Sequence, residues 1–207
     1  MIIKNHKLIA LIFLIISLIN LALSFYELYP PAIIWFCSAT IWLFIIGIYF
    51  KNDFLISSTV TASFVIETLW LIDYTSFLFL GRLTIGMGEY LLTSSTARII
   101  VTSYHLIILI VPILTIFELK RFNKYSWLGA SLYFFLISII TLLIANPNAN
   151  LNCVFRTCQL PFNILEGLNQ FLLIYLPPFI IHWLFMTLVI FIPTHFFFKK
   201  IINWIKK

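Results

Sequence analysis

The chain has 207 residues, of which 62% are hydrophobic and 10% charged, and its formal net charge is +6. Soluble domains average roughly 25% charged residues, so this composition excludes a water-soluble fold and makes lipid the main solvent for the chain. The positive charge does not imply nucleic-acid binding, because the basic residues flank apolar runs and form no patch or recognition motif.

A helix needs roughly 20 apolar residues to cross a bilayer, and six runs qualify. The first, 8–25, follows the basic start "MIIKNHK" and ends near a weak Ala22-Leu23-Ser24 cleavage-like site. Signal-peptide apolar regions usually run about 7–15 residues, so this longer run reads as a retained first helix. The second, 31–50, carries Cys37 in "IIWFCSAT". The third, 54–72, is the least apolar, with Ser57, Ser58, Thr59, Thr61, Ser63, Glu67 and Thr68, and Asp73 caps it at the interface. A long connection, 73–98, carries Arg82 and Arg98 at its rim, and the fourth run, 99–117, holds His105. The fifth run, 127–145, leads into a second long connection, 146–170. The sixth, 171–196, has a Pro177-Pro178 kink, His182 near mid-span and His195 at its inner, interfacial end. The runs are continuous and lack dyad alternation, which excludes strands. No linker or low-complexity tract divides the chain, so residues 1–207 read as a single all-α integral membrane domain.

Charge orients the bundle. Lys4, Lys7, Lys51, Lys120, Arg121, Lys124, Lys199, Lys200, Lys206 and Lys207 fall on one side, and Arg82, Arg98 and Arg156 on the other. The positive-inside rule makes the first side cytoplasmic. Both termini are then expected inside, as an even number of spans requires, and the two long connections outside. Long loops carry function more often than short ones, so the outer face is the expected working face.

Ionisable groups inside a membrane are costly and are functional candidates by default. At 1.5 Å per residue, Cys37, His105 and Glu67 lie roughly 9, 10 and 8 Å below the outer helix ends. Three helices thus place a thiol, an imidazole and a carboxyl in one layer. Ser63, Glu67, Trp70 and Tyr74 share a helix face by their spacing and line a polar interior. A thiol becomes a good nucleophile once a base takes its proton. A histidine can do that and then protonate the leaving group, while a carboxylate holds the imidazole in its working tautomer. Phospholipid ester carbonyls lie at about this depth. Each residue also has a plainer reading: Cys37 as a small apolar side chain, His105 as an interhelical hydrogen-bonding group, and Glu67 as a neutral packing residue.

Asp73, Arg82, Arg98 and Asn152 complete the candidate substrate-binding set: the arginines could meet a phosphate, and the Asn152 amide a head group or oxyanion. The segment "NPNANLNCVFRTC" also concentrates Asn146, Asn148 and Asn150, with Pro147, as in turns. Cys153 and Cys158 could close a small disulfide loop in an oxidising outer compartment. No zinc-type Cys/His spacing occurs, and neither a Gly-x-Ser-x-Gly elbow nor a His-Glu-x-x-His motif is present. A haem on His105 and His182 is disfavoured by their different depths. No metal and no cofactor are expected.

The segments "WFCSATIWL", "LIDY", "TSYHLIILIVPIL" and "NLNCVF" resemble a family of uncharacterised bacterial integral membrane proteins. More remotely, the order of Cys in the second helix, His in the fourth and then an Asn-rich segment is similar to the six-helix group around the androgen-induced gene products. That group includes lipid hydrolases with a Thr–His pair and a phospholipid acyltransferase with a Cys–His pair. The resemblance covers roughly residues 31–158. It implies a nucleophilic Cys37, a basic His105, a membrane-lipid substrate and a bacterial inner (cell) membrane. In bacterial relatives a His often precedes the Cys closely; here Trp35 and Phe36 stand there. The sequence therefore points to an intramembrane acyl hydrolase or acyltransferase acting on lipid esters. The alternatives are a non-catalytic lipid- or small-molecule-binding protein, or a transporter subunit with a polar path to the inner side.

Overall fold

The structure is a computed structural model and describes residues 2–26, 35–147, 151–155 and 176–207. Among these residues every extended element is helical and none is a strand. In chain order the α-helices are α1 (His6–Tyr26), α2 (Phe36–Tyr49), α3 (Asp53–Leu80), α4 (Thr96–Thr102), α5 (Tyr104–Leu119), α6 (Ser126–Ile144), α7 (Pro178–Phe185) and α8 (Ile192–Ile205). A turn at Ser103 separates α4 from α5. A π-helical turn, Met186–Phe191, joins α7 to α8 just before Pro193, whose ring cannot donate an N–H to the helix ladder.

Five segments are long and apolar enough to cross a membrane: His6–Tyr26, Asp53–Leu80, Thr96–Leu119, Ser126–Ile144 and Pro178–Ile205. This is the make-up of a multi-pass integral membrane protein, since helices satisfy their backbone groups internally in lipid. The second apolar run differs from expectation. Its described helix has 14 residues, about 21 Å at 1.5 Å per residue, against a hydrocarbon core of roughly 30 Å. Residues 31–34 of that run, and 171–175 of the last run, lie outside the described residues.

α3 is the central helix and packs against α2, α5 and α6. One apolar core joins Phe13, Phe44, Ile56, Val60, Ile108 and Phe198; a second joins Phe36, Phe134, Met186 and Phe191. The approach of α6 to α3 depends on a small residue. A Cβ at Gly129 would lie 2.1 Å from Ser58 Oγ and 2.7 Å from Phe54 Cζ, and small residues are what let membrane helices approach closely. Gly129→Ala is expected to lower stability by about 1–3 kcal/mol through overpacking, read as a lower thermal midpoint in detergent. An unchanged midpoint would mean that the two helices are not this close.

α3 also corrects the sequence reading of its own end. Asn52 caps its start, accepting from the amides of Phe54 and Leu55 at 3.0 and 3.1 Å. The helix was expected to stop at 72 with Asp73 as an interfacial cap; it continues to Leu80 and closes on Gly81, whose φ of +64° is the left-handed conformation favoured by glycine. Asp73 is 0% exposed. Its carboxylate accepts the backbone N–H groups of Thr84, Ile85 and Gly88 at 2.9, 2.6 and 3.0 Å, so the charge is compensated and the helix runs through it. Asp73→Ala is expected to release this latch: amide hydrogen exchange over residues 81–92 should rise at least tenfold, with α3 itself little changed. Unchanged exchange would contradict the latch.

Candidate functional site

The site lies at the end of the bundle that carries residues 81–95, opposite the end formed by the short turn at Lys51 and the segment Lys120–Lys124. α2 contributes Cys37 from its first turn, α3 contributes Glu67, and α5 contributes His105 from its first turn. Cys37 Sγ, a Glu67 carboxylate oxygen and a His105 ring nitrogen all lie within 4.8 Å of one another. Rotation about three helix axes, which depth along the sequence leaves open, brings these side chains to one point.

His105 is 4% exposed and Glu67 1%. Nδ1 of His105 and Oε2 of Glu67 form a hydrogen bond of 2.5 Å, short enough for a charge-assisted bond. Trp70 and Tyr104 stack on the imidazole, with ring centroids 4.2 and 4.3 Å away and interplanar angles of 25° and 21°. Such stacked rings fix the plane of the imidazole. Among the described residues, Glu67 Oε1 is buried with no hydrogen-bond partner, which leaves one open acceptor at the cluster. Cys37 is half-buried and a free thiol.

A cavity of ≈600 Å³ adjoins the cluster and reaches His105, within the range of small-molecule sites (~300–1,000 Å³). Its wall includes Ser38, Tyr90, Thr102 and Tyr104. Ser38 Oγ and the Tyr104 hydroxyl are 3.1 Å apart, and Trp70 Nε1 donates to the Tyr90 hydroxyl at 3.1 Å. Burial pushes the Tyr90 phenol well above its usual range, so it keeps its proton at neutral pH.

The remaining candidates separate by place. Arg98 lines the cavity, but it is 7% exposed rather than a solvated rim residue. Asp73 holds the 81–88 segment and does not line the cavity; Arg82 is exposed and does not line it either. Asn152 supports the site from behind: its Oδ1 accepts from the Phe36 amide at 2.9 Å and its Nδ2 donates to Thr141 Oγ1 at 2.9 Å. This satisfies the first amide of α2, one residue before Cys37. Arg156, Cys158, Asn148 and Asn150 lie outside the described residues, and so does any pairing of Cys153 with Cys158. His195 lies beside Ser126, at the end of the bundle that carries Lys120–Lys124; it is 2% exposed, and its Nδ1 lies 2.7 Å from Ser126 Oγ, which also accepts from Thr61 at 2.9 Å.

Sequence reasoning missed Asn20 and Ser24, which reach the Arg98 side chain from α1. The signal was present: Ser17, Asn20 and Ser24 recur at helical spacing and are all buried. It also missed a possible metal donor set. Sulfur, carboxylate oxygen and imidazole nitrogen at these separations are groups that zinc accepts; they come from three helices, so no local spacing announces them. Comparison with family models, with curated proteins and with solved structures found no match for this chain.

Proposed function

We propose that this protein is an intramembrane acyl hydrolase or acyltransferase that cleaves lipid esters with Cys37 as nucleophile, His105 as base and Glu67 as the group that orients His105. In this reading the bundle has six spans, both termini face the cytoplasm, and the cavity opens to the outer leaflet of a bacterial cell membrane. The observation that carries it is the approach of Cys37, Glu67 and His105 to within 4.8 Å, with His105 reaching the cavity wall.

The chemistry follows from that arrangement. His105 removes the thiol proton, and the sulfur attacks the ester carbonyl carbon. The new S–C bond forms as the C–O bond to the leaving alcohol breaks, and His105 returns the proton to that oxygen. Water, or an acceptor hydroxyl, then attacks the thioester; its proton passes through His105 and Cys37 regains its thiol. Glu67 on Nδ1 holds the tautomer and stabilises the imidazolium during both transfers. The hydroxyls of Ser38, Tyr90 and Tyr104 on the cavity wall are the donors within reach of a developing oxyanion. A thiol-directed lipid-ester probe should label the wild type and not Cys37→Ala. Undiminished labelling or turnover in that variant would sink the reading.

The donor set favours one second reading, in which Cys37, Glu67 and His105 hold a divalent ion that activates water. A stoichiometric metal in the purified protein, lost together with activity on chelation, would make Cys37 a ligand instead of a nucleophile.

A further inference from the structure

We propose that the cavity receives a neutral polyhydroxy head group, the sugar of a glycolipid, while the acyl chains of that lipid stay outside the bundle. This goes beyond the reading of Cys37 and His105 as a reacting pair: it follows from the wall of the cavity and holds whether or not that pair cleaves an ester.

The wall stands apart from the rest of a chain that is 62% hydrophobic: among the described lining residues none is aliphatic and none is acidic. Ligand sites are mostly lined by apolar side chains, so this wall suits a polar group and not an acyl chain. Polar groups inside a membrane bundle are costly, yet Ser38, Thr102 and Tyr104 on the wall are only 6, 3 and 5% exposed. The space is ≈600 Å³, about twenty times the ~30 Å³ share of one water, which is room for a head group rather than for a single water or ion.

The hydrogen-bonding pattern of the wall matches hydroxyl groups. Ser38 Oγ and the Tyr104 hydroxyl, 3.1 Å apart, share one bond whichever of them donates, so one proton of the pair is left to donate. The Tyr90 hydroxyl accepts from Trp70 Nε1 at 3.1 Å and shares a hydrogen bond with Thr102, which again leaves one proton. Ser94 Oγ and Thr93 Oγ1 spend their protons on the Tyr90 carbonyl at 2.7 and 3.4 Å, so toward the cavity they only accept. The wall therefore offers donors and acceptors together. A phosphate or carboxylate only accepts and leaves Thr93 and Ser94 unmatched, an ammonium only donates and leaves the two donor pairs unmatched, and a polyol does both through every hydroxyl. The Arg98 guanidinium on the same wall is already engaged, with Asn20 and Ser24 among its partners. The apolar part of the wall is aromatic, with the rings of Trp35 and Tyr90 at a centroid distance of 4.9 Å, and flat rings suit the C–H face of a sugar. Outside, Leu92 and Ile100 lie close in sequence to the lining residues Thr93 and Arg98 and are 56% and 64% exposed. They give the acyl chains an apolar surface beside the head group.

The test reads which lipid the full chain keeps. The protein is placed in nanodiscs containing equal amounts of glucosyl diacylglycerol, phosphatidylcholine and phosphatidic acid with the same acyl chains, and native mass spectrometry identifies the lipid retained on release. Glucosyl diacylglycerol is expected to be enriched roughly tenfold over each of the other two, through its additional hydrogen bonds. The double variant Thr93→Val, Ser94→Ala removes the two acceptors and should lower the enrichment over phosphatidic acid to about threefold or less. The pair Thr93→Ser, Ser94→Thr keeps both acceptors and should keep the enrichment. Equal retention of the three lipids, or an enrichment unchanged in Thr93→Val, Ser94→Ala, overturns the proposal. Displacement of the glycolipid by an equal concentration of methyl glucoside overturns the lipid and assigns a free sugar. The wild-type comparison decides the head-group preference even if the double variant fails to fold. Retention of the glycolipid without ester turnover would leave this ligand standing and remove the catalytic reading; turnover without head-group preference would do the reverse.

Discussion

Replacing Cys37 with Ala or Ser is expected to lower ester turnover by about 10³-fold or more while leaving the fold intact. Loss of a covalent nucleophile leaves only the catalysis supplied by binding and oxyanion donors, and nucleophile, base and orienter act as a unit. The fold should survive, because Cys37 is half-buried and the neighbouring anchors of α2, the Asn152 bond to the Phe36 amide and the packing of Phe36 on Phe134, do not involve it. Serine is the sharper substitution. It keeps the size and a hydroxyl that His105 could polarise, yet an alcohol at this position gives up its proton far less readily than a thiol. If Cys37→Ser retained more than about a tenth of the activity, the sulfur would not be the attacking atom. Turnover with purified protein in detergent, normalised by the fraction eluting as folded protein, decides between these outcomes.

Glu67→Gln is expected to have the second largest effect, a fall of roughly 10²–10⁴ in kcat with KM little changed. A carboxylate-to-amide change keeps shape but weakens control of the histidine tautomer and stabilises the imidazolium less well, at a cost of up to about 10⁴ in such triads. The 2.5 Å bond to Nδ1 and the burial of both partners make Glu67 the group with the most direct hold on His105. Glu67→Ala should be harsher on stability than Glu67→Gln, because it strands the buried Nδ1 of His105 without a partner, a loss of about 1–3 kcal/mol. A purely structural Glu67 predicts a different pattern, in which Glu67→Gln is nearly silent in kcat and any loss tracks the folded fraction. Single-turnover kinetics beside a thermal melt separate the two.

Which parts of this arrangement were legible in the sequence depends on what each part requires. Apolar run length and continuity report directly on the solvent, so a helical membrane protein could be read from composition and spacing. Depth follows from rise per residue, so Cys37, Glu67 and His105 could be assigned to one layer. Their approach needed the rotation of three helices, which tertiary packing sets. α2 turns its cysteine inward under the Asn152 cap, and Trp70 and Tyr104 clamp the imidazole from either side.

Charge misled at two places. Asp73 looked like an interfacial stop because an isolated carboxylate is costly in lipid, but three amides of the segment that follows the helix, at Thr84, Ile85 and Gly88, fold back and compensate it. Arg98 looked like a rim residue for the same reason, and α1 supplies its partners Asn20 and Ser24. His195 at the opposite end, beside lysines, has a buried polar niche that its neighbours in sequence do not announce, supplied by Ser126 and Thr61. In each case the missing information was a partner outside the residue's own helix, which spacing within the helix does not carry.

The most direct test of the central claim is the intact mass of the protein after brief reaction with a lipid ester, followed by mapping of the adduct. The account predicts an increment equal to the acyl group, carried as a thioester on the Cys37 peptide, labile to hydroxylamine and absent from Cys37→Ala. Turnover that proceeds in Cys37→Ala, or an acyl adduct that maps to another residue, would contradict it.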